Sequence, residues 1–211
     1  VTTFNPLDKN ALTKVFANEL MSRPALALPE VDPPTVEGPG LYALYYSGDF
    51  KLYRSVAKAG GDWPIYLGSA LPSGSRTGRI HKARKSPILD RLERHGNSLA
   101  SAKNLDERQF QARWFEVDEP FIILGEILLL RFYRPLWNST VAGFGAKVVG
   151  GRRTGGRMSK WDTLHPGRKG MGTAPGATVA KIEEEVAAHL SAFPPGWSLT
   201  TPGAAHAASD A

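Results

Sequence analysis

The sequence predicts an α+β fold, and three observations carry that prediction. Two short apolar runs, Gly40-Leu41-Tyr42-Ala43-Leu44-Tyr45-Tyr46 and Pro64-Ile65-Tyr66-Leu67-Gly68, are bounded by Gly and Pro, as buried strands are. A third run, residues 111–117, alternates apolar and polar side chains. Between and around these runs lie stretches with helical periodicity, several opened by capping residues. With 211 residues, 42% of them hydrophobic and 22% charged, the chain can bury one core and carry decorations on it.

At the N-terminus Asn5-Pro6-Leu7-Asp8 reads as a helix start, with Asn5 the N-cap, Pro6 the first helical residue and Asp8 in the first turn. Leu12, Val15, Phe16 and Leu20 form the apolar stripe that follows. Prolines between residues 23 and 39 break every pattern. Residues 1–39 therefore read as a helical arm, packed on the domain or on a second subunit, plus an extended linker. On the first strand Leu41, Ala43 and Tyr45 share one face and Tyr42, Leu44 and Tyr46 the other; on the second, Tyr66 opposes Ile65 and Leu67. If the strands are adjacent, Tyr42 and Tyr66 stand side by side, although paired tyrosines are also ordinary core residues. Phe50, Tyr53, Val56 and Ala57 mark a short helix stopped by Gly60-Gly61.

After a Gly/Ser/Arg-rich loop at residues 69–85, Ser86-Pro87 opens a helix with Ile88, Leu89 and Leu92 inward, ended by Gly96-Asn97. Arg91 and His95 are four residues apart and share one face, which for that pair alone is an ordinary exposed face. On the third strand Phe115 and Val117 oppose Phe110, Ala112 and Trp114. Pro120 opens a helix that is apolar nearly all round from Phe121 to Leu130, which predicts burial. Glu126 sits in its middle and needs a cation, a metal or hydrogen-bond donors there, a salt bridge to Arg131 being the plain alternative. Pro135 ends that helix. Residues 181–193 form a last amphipathic helix, and residues 194–211, rich in Ala, Gly, Ser and Pro, read as a disordered tail.

Charge is concentrated. Residues 143–172 hold Lys147, Arg152, Arg153, Arg157, Lys160, Arg168 and Lys169 against Asp162 alone, so this window carries the whole +6 of the chain. Arg76, Arg79, Lys82, Arg84 and Lys85 form a second cluster without an acid. Clustered basic residues interleaved with Gly and aromatics point to a polyanion, although a solvated surface is the usual fate of charge runs. The absence of cysteine excludes disulfides and thiolate zinc sites and fits a reducing cytoplasm. No signal-peptide pattern opens the sequence, and the longest apolar run is too short to cross a bilayer. A P-loop is excluded because Arg157-Met158 stands where Lys-Ser/Thr is needed, and no His-Glu-x-x-His occurs.

In chain order the pieces are Gly40-Leu41-Tyr42, Tyr66-Leu67-Gly68, Arg91 with His95, Glu126 and Asn138. This series resembles the five motifs of the GIY-YIG nuclease superfamily over residues 40–138, with Leu in place of Ile at positions 41 and 67. The flanks, Asn5-Pro6-Leu7-Asp8-Lys9-Asn10 and Trp161-Asp162-Thr163-Leu164-His165-Pro166-Gly167-Arg168, are similar to those of its type II restriction endonucleases, in particular the group that cuts CCGCGG, the SacII-type site. The resemblance implies a catalytic core at residues 40–142 around a three-stranded antiparallel sheet flanked by helices. It also implies basic DNA-contacting loops and a helix at residues 143–193, a divalent metal (Mg²⁺ or Mn²⁺), a water nucleophile and a homodimer on double-stranded DNA. The expected catalytic set is Tyr42, Tyr66, Arg91, His95, Glu126 and Asn138, with Glu126 as metal ligand. The expected DNA contacts are Arg76, Arg79, Lys82, Lys147, Arg152, Arg153, Arg157, Lys160, His165 and Arg168.

Chemically, Glu126 suits a hydrated Mg²⁺ and Arg91 suits a phosphate. Tyr42 is a base only if neighbouring cations lower its pKa, which leaves Tyr42 and His95 both open as the base. A homing or repair nuclease, or a binding module without catalysis, are the alternatives.

Overall fold

The computed structural model describes residues 8–32, 36–72, 86–146 and 156–196. Along the chain run α1 (Lys9–Ser22), β1 (Leu26–Ala27), β2 (Gly40–Tyr46), α2 (Arg54–Lys58), β3 (Tyr66–Ala70), α3 (Pro87–Ser101), β4 (Phe110–Glu116) and α4 (Glu119–Tyr133). There follow α5 (Leu136–Ser139), β5 (Arg157–Met158), α6 (Lys160–Leu164), β6 (Ala174–Pro175) and α7 (Val179–Ala192).

All seven residues of β2 are buried, because this strand is central and covered on both faces. The antiparallel sheet has the order β1-β4-β2-β3, with Tyr42 opposite Trp114 on one side and Gly68 on the other. Alternation divides the side chains into two cores. Tyr42, Leu44 and Tyr46 pack with Leu89, Leu92 and Leu99 of α3 and with Trp137 and Trp161. Leu41, Ala43 and Tyr45 pack with Phe16 and Leu20 of α1 and Ile122, Leu128 and Leu129 of α4. Helices thus cover both faces of the sheet, and the N-terminal arm packs on its own domain.

The sheet has four strands, not three. The fourth is β1, taken from the expected linker, with Leu26 opposite Ala112 and Ala27 opposite Gln111. Pro24 and Pro29 flank these two residues without interrupting them, so their N–H groups remain available at a sheet edge, where nearby prolines are tolerated.

Other expectations shift in detail. The N-cap of α1 is Asp8, whose carboxylate accepts from the Asn10 and Ala11 amides at 2.9 and 3.3 Å; Asn5 and Pro6 lie outside the described residues. Its buried face is Thr13, Phe16, Ala17 and Leu20, while Val15 is 62% exposed. Helix α3 is capped by Ser86 as expected but continues through Gly96-Asn97, because Leu99 extends the stripe of Ile88, Leu92 and His95 into the core. Helix α4 is not buried all round. It packs on the sheet and α1 through Ile122, Gly125 and Leu129, which leaves Ile123 and Ile127 on its outward side, 50% and 45% exposed among the described residues.

Past residue 142 the chain remains part of the same body. Phe144, Trp161, Leu164, Ile182 and Val186 share a core with Tyr42 and Leu44. Among the described residues, no helix is long and apolar enough to cross a membrane.

Candidate active site

Adjacent strands bring the two tyrosines together on the α3 face of the sheet, with ring centroids 6.3 Å apart. Gly68 is what lets Tyr42 lie there. A Cβ at Gly68 would stand 2.5 Å from the Tyr42 hydroxyl oxygen and 2.6 Å from its Cζ, so the bare backbone forms one wall for the phenol.

Helix α3 delivers two more groups to this face. His95, 4% exposed, lies 5.5 Å from the Tyr42 ring and 5.0 Å from that of Tyr66, centroid to centroid. Its Nε2 is 2.8 Å from the Tyr42 hydroxyl. Arg91, one turn earlier, is half-buried and makes no hydrogen bond or ion pair with the described residues, while its charge is felt at Tyr42, Tyr66 and His95.

The electrostatics of the pair run against the simplest expectation. Burial, and then the neighbouring Tyr66, push the Tyr42 phenol well above its ordinary value; Arg91 pulls it down but is outweighed. Burial also raises Tyr66, only partly offset by its hydrogen bond with Tyr42. Burial, reinforced by Arg91, Arg168 and Arg94, pushes His95 down to about 3. At neutral pH, therefore, Tyr42 keeps its proton and His95 is uncharged. A neutral imidazole with its ring proton on Nδ1 accepts from the Tyr42 hydroxyl through Nε2, and one with its proton on Nε2 donates to it.

Glu126 approaches from the other side of the sheet. It is half-buried on α4, next to Gly125, where a Cβ would press on Leu41 and Phe16 at 2.6 and 3.0 Å. That close approach sets the helix tightly against β2. The Ser69 hydroxyl donates to Glu126 Oε2 at 2.7 Å, and no described ion pair joins Glu126 to Arg131. It lies against the edge strand β3, and its charge is felt at both phenols. Asn138 grips that same edge. Its Oδ1 accepts from the Leu67 amide at 2.8 Å and its Nδ2 donates to the Leu67 carbonyl at 2.7 Å, as a neighbouring strand would.

Sequence reasoning missed Ser69 and Phe144. Ser69 was legible in principle, as a polar residue in the inward register of Leu67. Phe144 was not, since it lies outside the motif span; its ring stacks on His95 at 4.6 Å and 18°.

The expected DNA contacts divide into three groups. Arg76, Arg79, Lys82, Lys147, Arg152 and Arg153 lie outside the described residues. Arg157 is exposed on β5, and Lys160 is partly exposed and paired with Glu185. His165 and Arg168 depart from the expectation, because both are built into the core. His165 is 0% exposed, with its ring nitrogens 2.6 Å from the Tyr53 hydroxyl and 3.0 Å from Asn104 Oδ1. Arg168 spends its donors on Asp162 and on the carbonyls of Gly143 and Phe144, each at 2.8 Å, and lies over the Trp161 ring.

Tyr42 and Tyr66 on neighbouring strands, with Arg91 and His95 above them and Glu126 of α4 held by Ser69 of the edge strand, define the class as a GIY-YIG nuclease fold. A family model described as the Eco29kI GIY-YIG domain matches residues 35–190. The match spans most of the chain, including the segment past residue 142, and the chain belongs to that family. It is thus a DNA-cleaving hydrolase of a restriction-endonuclease family, in a superfamily that uses divalent metal ions. No curated protein matches the chain.

Proposed function

We propose that the protein is a type II restriction endonuclease that hydrolyses both strands of double-stranded DNA at a G·C-rich palindrome, acting as a homodimer with a divalent metal. The observation that carries the chemistry is the buried 2.8 Å hydrogen bond between Tyr42 and a neutral His95, beside the guanidinium of Arg91, which pairs with no residue among the described ones.

Among the described residues no three metal-ligating side chains cluster, and Glu126 stands alone. That set fits Mg²⁺, which keeps most of its waters and takes one or two carboxylates together with phosphate oxygens. When bound, the metal would supply charge neutralisation at the scissile phosphate. Ser69 holds one oxygen of Glu126 and so fixes the carboxylate's orientation.

Arg91 places two donors on the phosphate and stabilises the charge that develops as the water oxygen attacks phosphorus and the bond to the 3′-oxygen breaks. Tyr42 accepts the proton of that water while passing its own to His95 Nε2, and the departing 3′-oxygen takes a proton from solvent water. This relay runs with the ring proton on Nδ1 and needs no free phenolate, so a raised Tyr42 pKa does not forbid it. A phosphate bound at Arg91 offsets one of the charges that depress His95 and so strengthens it as the acceptor. Tyr66 hydrogen-bonds the water or the phosphate, and Asn138 keeps β3 in place beneath them.

Sequence choice rests on the Gly-rich basic segment. A guanine presents two major-groove acceptors that one arginine engages, and residues 143–172 contain arginine but neither Asn nor Gln, the adenine readers. Arg152, Arg153 and Arg157 are the proposed readers. Arg168 is withdrawn from that list, since its donors are spent in the core. One catalytic set per chain cuts one strand, so a two-fold dimer on a palindrome is the simplest route to a double-strand break. CCGCGG is the specific site proposed.

The test is digestion of DNA of known sequence by wild type and Glu126→Gln, with both ends of every fragment mapped. Wild type should cut both strands at G·C-rich palindromes, and Glu126→Gln should bind DNA but not cut. Cuts centred on A·T-rich or asymmetric sequences refute the arginine readout, and cleavage by Glu126→Gln at more than a few per cent of the normal rate removes Glu126 from the metal role.

A further inference from the structure

We propose that Phe144 is a positioning residue for cleavage: it fixes the plane of the His95 ring so that Nε2 faces the Tyr42 hydroxyl, and it keeps water off that ring. The proposal rests on the nuclease reading above and assigns a part to a residue outside the five motifs.

A histidine ring turns about a soft terminal torsion, so its plane is set by its neighbours and not by a rotamer well. Here the neighbour is Phe144, 1% exposed, whose ring lies nearly parallel to that of His95 at 4.6 Å. The same ring meets Tyr66 edge-on, at 5.1 Å and 78°. Phe144 is itself held on its other sides by Trp137 at 4.6 Å and Trp161 at 5.2 Å.

The backbone at Phe144 is clamped as well. Arg168 donates to the carbonyls of Gly143 and Phe144 at 2.8 Å each, while Asp162 holds its Nε at 2.8 Å, and the Trp161 amide donates to the Ala142 carbonyl at 3.2 Å. On the far side, a Cβ at Gly145 would run into the Tyr66 hydroxyl and stand 3.8 Å from His95 Cε1. The segment therefore crosses the site in contact with it. Arg168 and Asp162, at 8% and 3% side-chain exposure, form a buried ion pair whose visible task is to hold this crossing. The region read from sequence as DNA-contacting loops thus also closes the catalytic face.

The groups facing His95 are Tyr42 from β2, Tyr66 from β3, Arg91 and Arg94 from its own helix, and the nearby Arg168. Removing the flat apolar cover exposes the imidazole to water among these charges. Its titration then moves from about 3 back toward its ordinary value, and the Tyr42 hydrogen bond loses its alignment.

The experiment compares Phe144→Leu, which keeps an apolar side chain but loses the flat face, with Val186→Ala, which opens the same core away from His95. Plasmid cleavage is measured across pH for both, and the His95 ring is titrated by NMR in the DNA-free protein. Phe144→Leu should lose roughly ten- to a hundredfold in kcat with KM little changed. Its activity should begin to fall at higher pH than that of wild type, and its His95 signal should titrate nearer neutrality. Val186→Ala should be less stable yet keep the wild-type profile. Should Phe144→Leu not fold, Arg168→Lys, whose single nitrogen replaces the three that separately reach Asp162 and the two carbonyls, should shift the profile in the same direction. A wild-type pH profile and His95 titration in the folded Phe144 and Arg168 variants overturn the proposal, as does an equal kcat loss in Val186→Ala. Glu126→Gln, run in parallel, separates the two readings. If it is inactive while Phe144→Leu behaves as wild type, only the role of Phe144 falls; if wild type itself does not cut DNA, the nuclease reading falls first.

Discussion

Asn138→Ala should destabilise the protein by about 2–4 kcal/mol. The side chain makes two hydrogen bonds, at 2.8 and 2.7 Å, to the amide and carbonyl of Leu67, a residue that is 0% exposed on the edge strand β3. Truncation strands both groups where water does not reach, and each such orphan costs about 1–3 kcal/mol. Against a total stability on the order of 5–15 kcal/mol, that is a large fraction, read as a lower urea midpoint at unchanged slope. Asn138→Asp makes the test sharper. It keeps the acceptor for the amide but turns an oxygen toward the Leu67 carbonyl, so only its protonated form replaces both bonds. The folded protein then holds that proton more tightly than the unfolded chain, whose aspartate titrates near about 3.9. Stability of Asn138→Asp should therefore be near wild type below about pH 3.9 and fall as pH rises through the raised folded value. An Asn138→Ala midpoint within about 0.5 kcal/mol of wild type, or an Asn138→Asp stability that rises with pH relative to wild type, would refute the edge-clamp role.

Gly68→Ala places a Cβ 2.5 Å from the Tyr42 hydroxyl oxygen, so cleavage should fall roughly a hundredfold and stability by about 1–3 kcal/mol; a normal rate would mean that the strand backbone yields. His95 and His165 are both held uncharged by burial, with folded values of about 3. The unfolded chain binds more protons between about 3 and about 6.5, so their contribution is complete above about pH 6.5 and is lost as pH falls toward about 3. The slope should reach about 1.4 kcal/mol per pH unit for each histidine, and a urea midpoint that stays constant from pH 7 to 4.5 would contradict it.

Much of this protein is legible in one dimension. Period-two and helical patterning mark β2, β3, β4 and the five main helices, because a residue's burial in a regular element follows from its place in the repeat. Ser86-Pro87 marks the start of α3 for a local reason, the capping of its first amides. The catalytic candidates were legible because each motif lies within a single element, and their order along the chain is itself a pattern.

What the tertiary structure decided depends on who is nearby. Ile123 and Ile127 have the same character as Ile122 and Leu129, and only the side from which β2 and α1 approach leaves them exposed. Arg168 and Arg157 are indistinguishable as members of a basic run, yet one is enclosed by Asp162, Trp161 and two carbonyls and the other faces solvent. The sign of the Tyr42 shift was equally hidden. Arg91 beside it is a sequence fact, but the outcome is set by burial, a sum over everything packed around the phenol. Sequence names the groups and their local geometry; desolvation and long-range contact, which decide what those groups do, exist only once the chain has closed upon itself.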